Sequence, residues 1–179
     1  MSGTPGLPPL VTISPYSMEA IGQQVLSCAG QGINAHASAL WPSADLALFY
    51  PFVISQRCIA VLLWAYNGGT AAGSTDIGIY TEDGTRLVSI GPTAQAGTNV
   101  RQSFNITDTE LFPGRYYMAL ASSSGAATFF RSTMGDTNRN RTLGMFQQAS
   151  AGTLPATATF AAVGQDYLPI FGLTTRSVL

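Results

Sequence analysis

The sequence predicts an all-β fold, an antiparallel, jelly-roll-like β-sandwich that follows an extended, proline-rich N-terminal arm. Residues 58–66 carry apolar side chains on both faces of a period-2 pattern, which is typical of a strand in the middle of a sheet. Residues 75–81 alternate like a half-buried strand, and Asp83-Gly84 supplies a two-residue hairpin turn before a returning strand at 86–90. Three consecutive antiparallel strands with short connections favour a sandwich over an α/β fold.

Residues 1–44 differ in composition from the rest of the chain. They hold half of the ten prolines, and proline is excluded from long helices and from central strands. Within this stretch, residues 10–13 suit a short edge strand and residues 18–26 suit one or two helical turns. Its apolar side chains distinguish it from a typical disordered tail. We expect residues 1–44 to form an arm that runs along a surface, and residues 45–179 to form the sandwich domain.

The remaining strands are predicted in order from residue 45. Residues 45–55 form a strand in which Pro51 requires a sheet edge or a bulge. Residues 132–143 are predicted to be a polar loop, and the small-residue stretch 149–162 has no strand pattern. Further strands are predicted at 99–106, 116–121, 126–131 and 165–173. In 116–121 the pattern sets Tyr116, Met118 and Leu120 opposite Tyr117, Ala119 and Ala121.

The chain has few charges: 9% of its residues are charged and the net charge is -1. Such a surface is either hidden in an assembly or kept soluble by neutral polar groups. Every basic residue is Arg, which is typical of buried interfaces, although a GC-rich genome would have the same effect. We therefore expect no nucleic-acid or membrane partner, since there is no basic footprint and no apolar run long enough to span a bilayer.

Candidate chemistry is sparse. His36 is the single histidine, and together with Cys28 and Cys58 it does not make a zinc ligand set. No secretory signal is recognisable, so synthesis in a cytoplasm is expected and the two cysteines are predicted to be small buried hydrophobes. Residues 136–140 resemble the start of a calcium loop but lack its glycine and bidentate glutamate. We expect no catalytic, cofactor or metal site, and the acidic residues considered for glycoside hydrolysis are Asp76, Glu82, Asp83, Asp108 and Glu110.

Aromatic residues are the leading binding candidates. Trp41, Trp64, Tyr66 and Tyr80, together with Tyr116 and Tyr117, could form a platform for a sugar ring or an interface with another protein. The alternative is that these rings are core residues, because their strands are strongly apolar.

Four stretches carry a resemblance to a known class of protein. Residues 76–88, 111–120, 154–160 and 167–173 resemble the β-sandwich virion proteins of tailed bacteriophages, and the resemblance covers roughly residues 45 to 173. It implies a structural role in the virion after synthesis in the host cytoplasm. The leading hypothesis is a capsid decoration (cement) protein, a homo-oligomer with a trimer favoured, which binds the major capsid protein or other virion proteins and ties subunits together through its arm. The alternatives are a tail or fibre module that recognises host surface glycan, and a glycan-cleaving enzyme.

Overall fold

Thirteen β-strands and one short helix make up the part of the chain that the structure describes. The structure is a computed structural model that describes residues 24–26, 36–133 and 135–177. In chain order the elements are β1 Gln24–Leu26, β2 His36–Leu40, β3 Leu46–Ile54, β4 Cys58–Tyr66, β5 Ser74–Thr81, β6 Arg86–Ser89, β7 Thr93–Ala94, β8 Arg101–Leu111, β9 Gly114–Ser122, β10 Thr128–Ser132, α1 Thr137–Thr142, β11 Phe146–Gln148, β12 Ala161–Ala162 and β13 Phe171–Ser177.

The strands form two main antiparallel sheets. The first sheet has the order β1-β13-β4-β8, and the second has the order β12-β11-β3-β9-β5-β6, with β7 paired to β5. A separate ladder joins β10 to β2. Apolar side chains from both main sheets form one shared core cluster. The predicted all-β antiparallel sandwich is confirmed.

Strand β9 shows how the alternation of side chains creates two apolar clusters. Tyr116, Met118 and Leu120 belong to the core between the sheets. Tyr117, Ala119 and Ala121 point the other way and belong to a second cluster, on the outer face of the second sheet. Both faces of β9 are therefore buried, with the residues divided as the sequence predicted.

Strand β4 lies in the interior of the first sheet, between β13 and β8, as predicted. Its side chains do not alternate strictly, because the ladder with β8 shifts register between Ala60 and Leu62. Ala60, Leu63 and Ala65 consequently all enter the core. The predicted three-stranded unit was wrong in one respect: β4 belongs to the first sheet and β5 to the second, so residues 67–73 cross between the sheets.

The hairpin between β5 and β6 is one residue longer than predicted. The N–H of Thr81 donates to the carbonyl of Thr85 at 2.9 Å, which leaves a three-residue loop from Glu82 to Gly84. Gly84 adopts a φ of +89°, a conformation that glycine reaches without a steric penalty. This is the geometry of a three-residue hairpin with an αL residue at its end.

Pro51 lies in the part of β3 that pairs with a strand on one side only. The ladder between β3 and β9 runs through Pro51 without a register shift. On its other side β3 pairs with β11 only from Ala47 to Phe49. The proline therefore occupies the part of the strand that is a sheet edge, which is one of the two predicted placements.

Described residues on the N-terminal side of the predicted boundary at residue 44 pack with the sandwich. Strand β2 pairs with β10, and Trp41 is 2% exposed in the core. The Trp41 indole N–H donates to the carbonyl of Leu46 at 3.1 Å, so this residue is tied to β3. Strand β1, predicted as helical turns, pairs with β13. The rest of the predicted arm, including the strand at 10–13 and Cys28, lies outside the described residues, whereas Cys58 is buried as predicted.

The predicted polar loop at 132–143 contains helix α1. Asp136 is its N-cap, and its carboxylate accepts hydrogen bonds from the backbone N–H groups of Asn138 and Arg139 at 2.9 and 3.0 Å. An Asp at this position satisfies backbone donors at the start of the helix that would otherwise lack partners. The sequence that resembles the start of a calcium loop is therefore a helix cap.

Candidate functional site

The outer face of the first sheet carries two of the four predicted site aromatics. Trp64 and Tyr66 are two residues apart on β4 and so share a face. Trp64 is 3% exposed, and the guanidinium carbon of Arg101 lies 5.7 Å from its ring centroid. The partner of Trp64 on the neighbouring strand β13 is Gly172, which is also buried. We refer to Trp64, Tyr66, Arg101 and Gly172 as the aromatic face.

Tyr66 borders the aromatic face and is half-buried. Its ring meets that of Phe130 edge-to-face, with centroids 4.9 Å apart and an interplanar angle of 75°. This is a favoured arrangement of aromatic quadrupoles. Tyr66 and Phe130, which is also half-buried, are therefore the partly accessible aromatic pair next to this face.

Trp41 and Tyr80 are core residues, the alternative that the sequence left open. Trp41 packs edge-on against Phe129 and Tyr167, with centroid distances of 5.3 Å. Tyr80 is fully buried in the second cluster, on the other side of the second sheet. The four predicted residues thus occupy three separate environments and do not form one platform.

Residues 149–160, here called the covering segment, close the outer face of the second sheet. Leu154 and Phe160 from this segment pack against the apolar side chains of β3 and β9. Phe160 lies edge-on to Phe49, with ring centroids 5.1 Å apart. Small residues in the sheet permit this close approach: a Cβ on Gly78 would stand 3.0 Å from Leu154 and 2.9 Å from the carbonyl oxygen of Val88. The stretch without a strand pattern therefore covers a second core.

Three polar side chains fix the covering segment to the sheet. The fully buried carboxylate of Asp76 accepts the backbone N–H of Leu154 at 3.0 Å, and Arg86 donates to the carbonyl of the same residue. The Tyr80 hydroxyl donates to the carbonyl of Pro155 at 2.7 Å. Burial raises the pKa of Tyr80, so the hydroxyl remains a donor. Burial also raises the pKa of Asp76, and the N–H of Leu154 and the charge of Arg86 partly offset that effect.

A network of amide side chains joins the loops at one end of the sandwich. The fully buried Asn67 donates to the carbonyl of Ala96 at 2.7 Å and to the side-chain oxygen of Gln102 at 2.9 Å. Gln95 donates to Asn67 at 3.2 Å and to the carbonyl of Thr128 at 2.8 Å. The sequence showed only a small-residue loop beginning at Asn67, because amide pairing over about thirty positions leaves no local signal.

The acidic candidates for glycoside hydrolysis each have a partner within the chain. Asp83 is a turn residue whose pKa is lowered by a hydrogen bond from the Thr81 hydroxyl. The partners are the N–H of Leu154 for Asp76, Arg115 for Glu82, Thr81 for Asp83, Arg176 for Asp108 and Arg57 for Glu110. Within the described residues, no group of three or more His, Cys, Asp or Glu side chains is placed to hold a metal ion.

Six of the arginines form ion pairs or hydrogen bonds to carbonyl groups within the chain. Their ion pairs and carbonyl contacts are Arg57 with Glu110, Arg115 with Glu82, Arg131 with Asp166, Arg176 with Asp108, Arg86 with Leu154 and Arg141 with Val163. Exposed ion pairs add little stability, about 0–1 kcal/mol each. Their main effect here is to neutralise much of the small charge that the surface carries.

Comparison with known proteins gives no family for this chain: no protein-family model matches it, and no curated protein does. In the described part of the chain, no helix combines the length and the hydropathy needed to cross a membrane.

Proposed function

We propose that the chain is a structural protein of a bacteriophage virion, a capsid decoration protein that binds the major capsid protein as a homo-oligomer, with a trimer favoured. The observation that carries the proposal is a surface with few charges, several of which form ion pairs within the chain, and with large apolar groups among its exposed side chains. Val53, Val100 and Phe112 are exposed by 64, 44 and 55%. A weakly charged surface with exposed apolar groups suits a protein that is held in an assembly.

Val53 and Phe112 are the leading contact residues. Ile54, at the end of β3, pairs with Gly114 at the start of β9, and Phe112 lies in the turn that leads into β9. Arg57 places its guanidinium carbon 5.6 Å from the ring centroid of Phe112. Phe and Arg are both enriched in protein interfaces relative to the rest of the surface.

A binding experiment tests this role. Phage particles that lack the chain are incubated with purified protein, and cosedimentation gives its affinity for the capsid. Val53→Asp and Phe112→Asp should each weaken binding about tenfold or more, because a buried apolar side chain contributes roughly 1.5–3 kcal/mol. Leu40→Asp, at the other end of the sandwich, is the matched control and should bind normally. Failure of the unmodified protein to bind these particles would contradict the proposal.

A tail or fibre module that binds host glycan is the second candidate, favoured by Tyr66 and Phe130 on the border of the aromatic face. Retention on a host polysaccharide column that is lost in Tyr66→Ala would support it. Tyr80→Ala cannot serve in this test, because Tyr80 is buried and holds the covering segment. A protein that passes the column unretarded would rule this candidate out for that polysaccharide.

A further inference from the structure

We propose that a small surface site binds an acidic sugar, a hexose ring that carries a carboxylate. The site consists of Tyr66, Phe130, Arg101, Ser38 and Asn99, here called the Tyr66 cluster. The inference goes beyond the proposed capsid role and rests on the second candidate, the glycan-binding module, to which it gives a ligand class. It is carried by the convergence of these residues, by the cation of Arg101 and by the polar groups around the two aromatic rings.

Three strands bring four of these residues onto one face. Tyr66, at the end of β4, pairs with Arg101, at the start of β8. The Tyr66 ring meets that of Phe130 with centroids 4.9 Å apart, and Phe130 on β10 pairs with Ser38 on β2. Side chains of directly paired residues lie on the same side of a ladder. The aromatic pair therefore has a guanidinium on one side and a hydroxyl on the other.

The loop after β4 completes the border of the site. The N–H of Gly69 donates to the Ser38 hydroxyl oxygen at 2.9 Å. A Cβ on Gly69 would stand 4.0 Å from the side-chain oxygen of Asn99 and 4.0 Å from the Ser38 hydroxyl. Because Gly69 has no side chain, the space between these two polar groups is open to a ligand. Ser38, Gly69 and Asn99 are all exposed.

Arg101 supplies the charge of the site. It is exposed, and its guanidinium carbon lies 5.7 Å from the ring centroid of Trp64. Among the described residues it forms no ion pair with a carboxylate, unlike Arg57. A guanidinium that stacks on an aromatic ring keeps its N–H groups available, and their fork matches a carboxylate. The ligand that complements this charge is an anion.

The groups around Arg101 favour a sugar as the bearer of that carboxylate. Tyr66 and Phe130 are half-buried, and aromatic rings offer an apolar surface to the face of a sugar ring. In the part of the chain that the structure describes, the Tyr66 hydroxyl and the Asn99 side chain enter no hydrogen bond, so both are available to sugar hydroxyls. Strand β4 is paired on both sides, so an extended peptide cannot bind here by strand addition.

Ligand-observed saturation-transfer NMR on the purified full chain tests the site. The probes are glucuronate, galacturonate and N-acetylneuraminate, with glucose and galactose as the neutral references. Acidic sugars should bind with a dissociation constant at least about tenfold lower than the neutral ones, because a charge-assisted hydrogen bond is about twice as strong as a neutral one. Failure of all three acidic sugars to bind more tightly than the neutral ones would overturn the proposal.

Variants assign the binding to named residues. Arg101→Gln should weaken binding of the acidic sugars about tenfold and leave the neutral sugars unchanged. Tyr66→Ala should weaken both kinds, because it removes the ring. Arg57→Gln is the matched control, since Arg57 is another exposed arginine that lies over an aromatic ring, and it should change neither. Acidic-sugar binding that is unchanged in Arg101→Gln would overturn the proposal.

Two further results separate this inference from the proposals on which it builds. Equal binding of acidic and neutral sugars would retain a glycan-binding module and overturn the acidic ligand. Binding of hexaglutamate in place of the sugars would assign a peptide ligand and overturn the proposal. Arg101→Gln should cosediment with capsids like the unmodified protein, so a failure at the Tyr66 cluster is distinguishable from a failure of capsid binding.

Discussion

Asp76 is a buried carboxyl that the fold uses to hold a segment of irregular backbone. Its oxygen satisfies the N–H of Leu154, a group that a β-ladder would otherwise pair. Ionisation of this group is costly because the carboxyl is removed from water. Its contribution to stability is therefore complete below the ordinary pKa of 3.8 and declines as the pH rises through the higher folded-state pKa.

Replacing Asp76 with Asn should retain the hydrogen bond and remove the ionisation. We expect the free energy of unfolding of Asp76→Asn to rise relative to the unmodified protein as the pH increases from about 4 to about 7, as measured by urea titration. Asp76→Ala, which leaves the Leu154 N–H without an acceptor, should lose about 1–3 kcal/mol. A pH dependence that is the same in the unmodified protein and in Asp76→Asn would contradict this account.

Asn67 provides a second test at the scale of one residue. Asn67→Asp is nearly isosteric but converts a donor to the carbonyl of Ala96 and the side chain of Gln102 into an ionised acceptor. We expect it to lower the free energy of unfolding at neutral pH by about 2 kcal/mol or more. The loss should shrink at low pH, where the carboxyl is protonated. A neutral effect in urea titration would show that the network contributes little.

These polar residues were the part of the structure least accessible to prediction from sequence. Asp76 was considered as a catalytic carboxylate and Asn67 as the start of a loop, because both acquire their roles from residues far away in the chain. Trp41 and Tyr80 were named as binding candidates, and apolar surroundings alone could not show whether a ring faces the core or the solvent. Trp64 and Tyr66 lie on one face because they are two residues apart in a strand, which is a local property.

At the scale of elements, the covering segment gives the second sheet a buried outer face. At Leu154 it packs against a residue of the sheet that has no side chain, so its position there depends on the space that a larger residue would fill. Gly78 lies directly beneath Leu154.

Gly78→Ala should therefore destabilise the protein. The added Cβ would meet the carbonyl of Val88 at 2.9 Å and Leu154 at 3.0 Å, and overpacking of this kind costs about 1–3 kcal/mol. Gly69→Ala is the matched control, because its nearest neighbours would be 4.0 Å away. The two variants can be compared by thermal unfolding. Equal stability of both would show that the covering segment adapts to the sheet.

Strand prediction succeeded where the pattern is local and failed where sheets exchange strands. The two faces of β9 and the interior position of β4 follow from apolar periodicity. The separation of β4 from β5 does not, because a short loop can return a strand to its own sheet or cross to the other. The 149–162 stretch has no periodicity, so its packing role was not predictable from propensity.

At the scale of the whole molecule, the N-terminal boundary of the sandwich can be tested by truncation. Removal of residues 1–44 eliminates β2 and Trp41, and the loss of a buried Trp alone costs about 3–5 kcal/mol. We expect this shortened chain to lose cooperative thermal unfolding in circular dichroism. Removal of residues 1–23 leaves β1, β2 and Trp41 in place, and that chain should still unfold cooperatively. Similar melting of the two truncated proteins would support the predicted boundary at residue 44.

The fold could be predicted from the sequence more completely than the role. Alternating strands and turns define a sandwich, but the same sandwich serves many functions, and the contacts that give it one lie with partners outside the chain. The proposed role in an assembly rests on the low charge of the chain and on the exposed Val53 and Phe112.

The number of copies of this chain in purified phage particles, relative to the major capsid subunit, tests the proposed role most directly. The proposal assigns the chain to a phage, and quantitative mass spectrometry of the virions of that phage gives the ratio. A decoration protein is expected at an abundance comparable to the capsid subunit, since it occupies repeated positions on the shell. A handful of copies per particle, or none, would contradict the decoration role, and the former would favour the tail or fibre alternative.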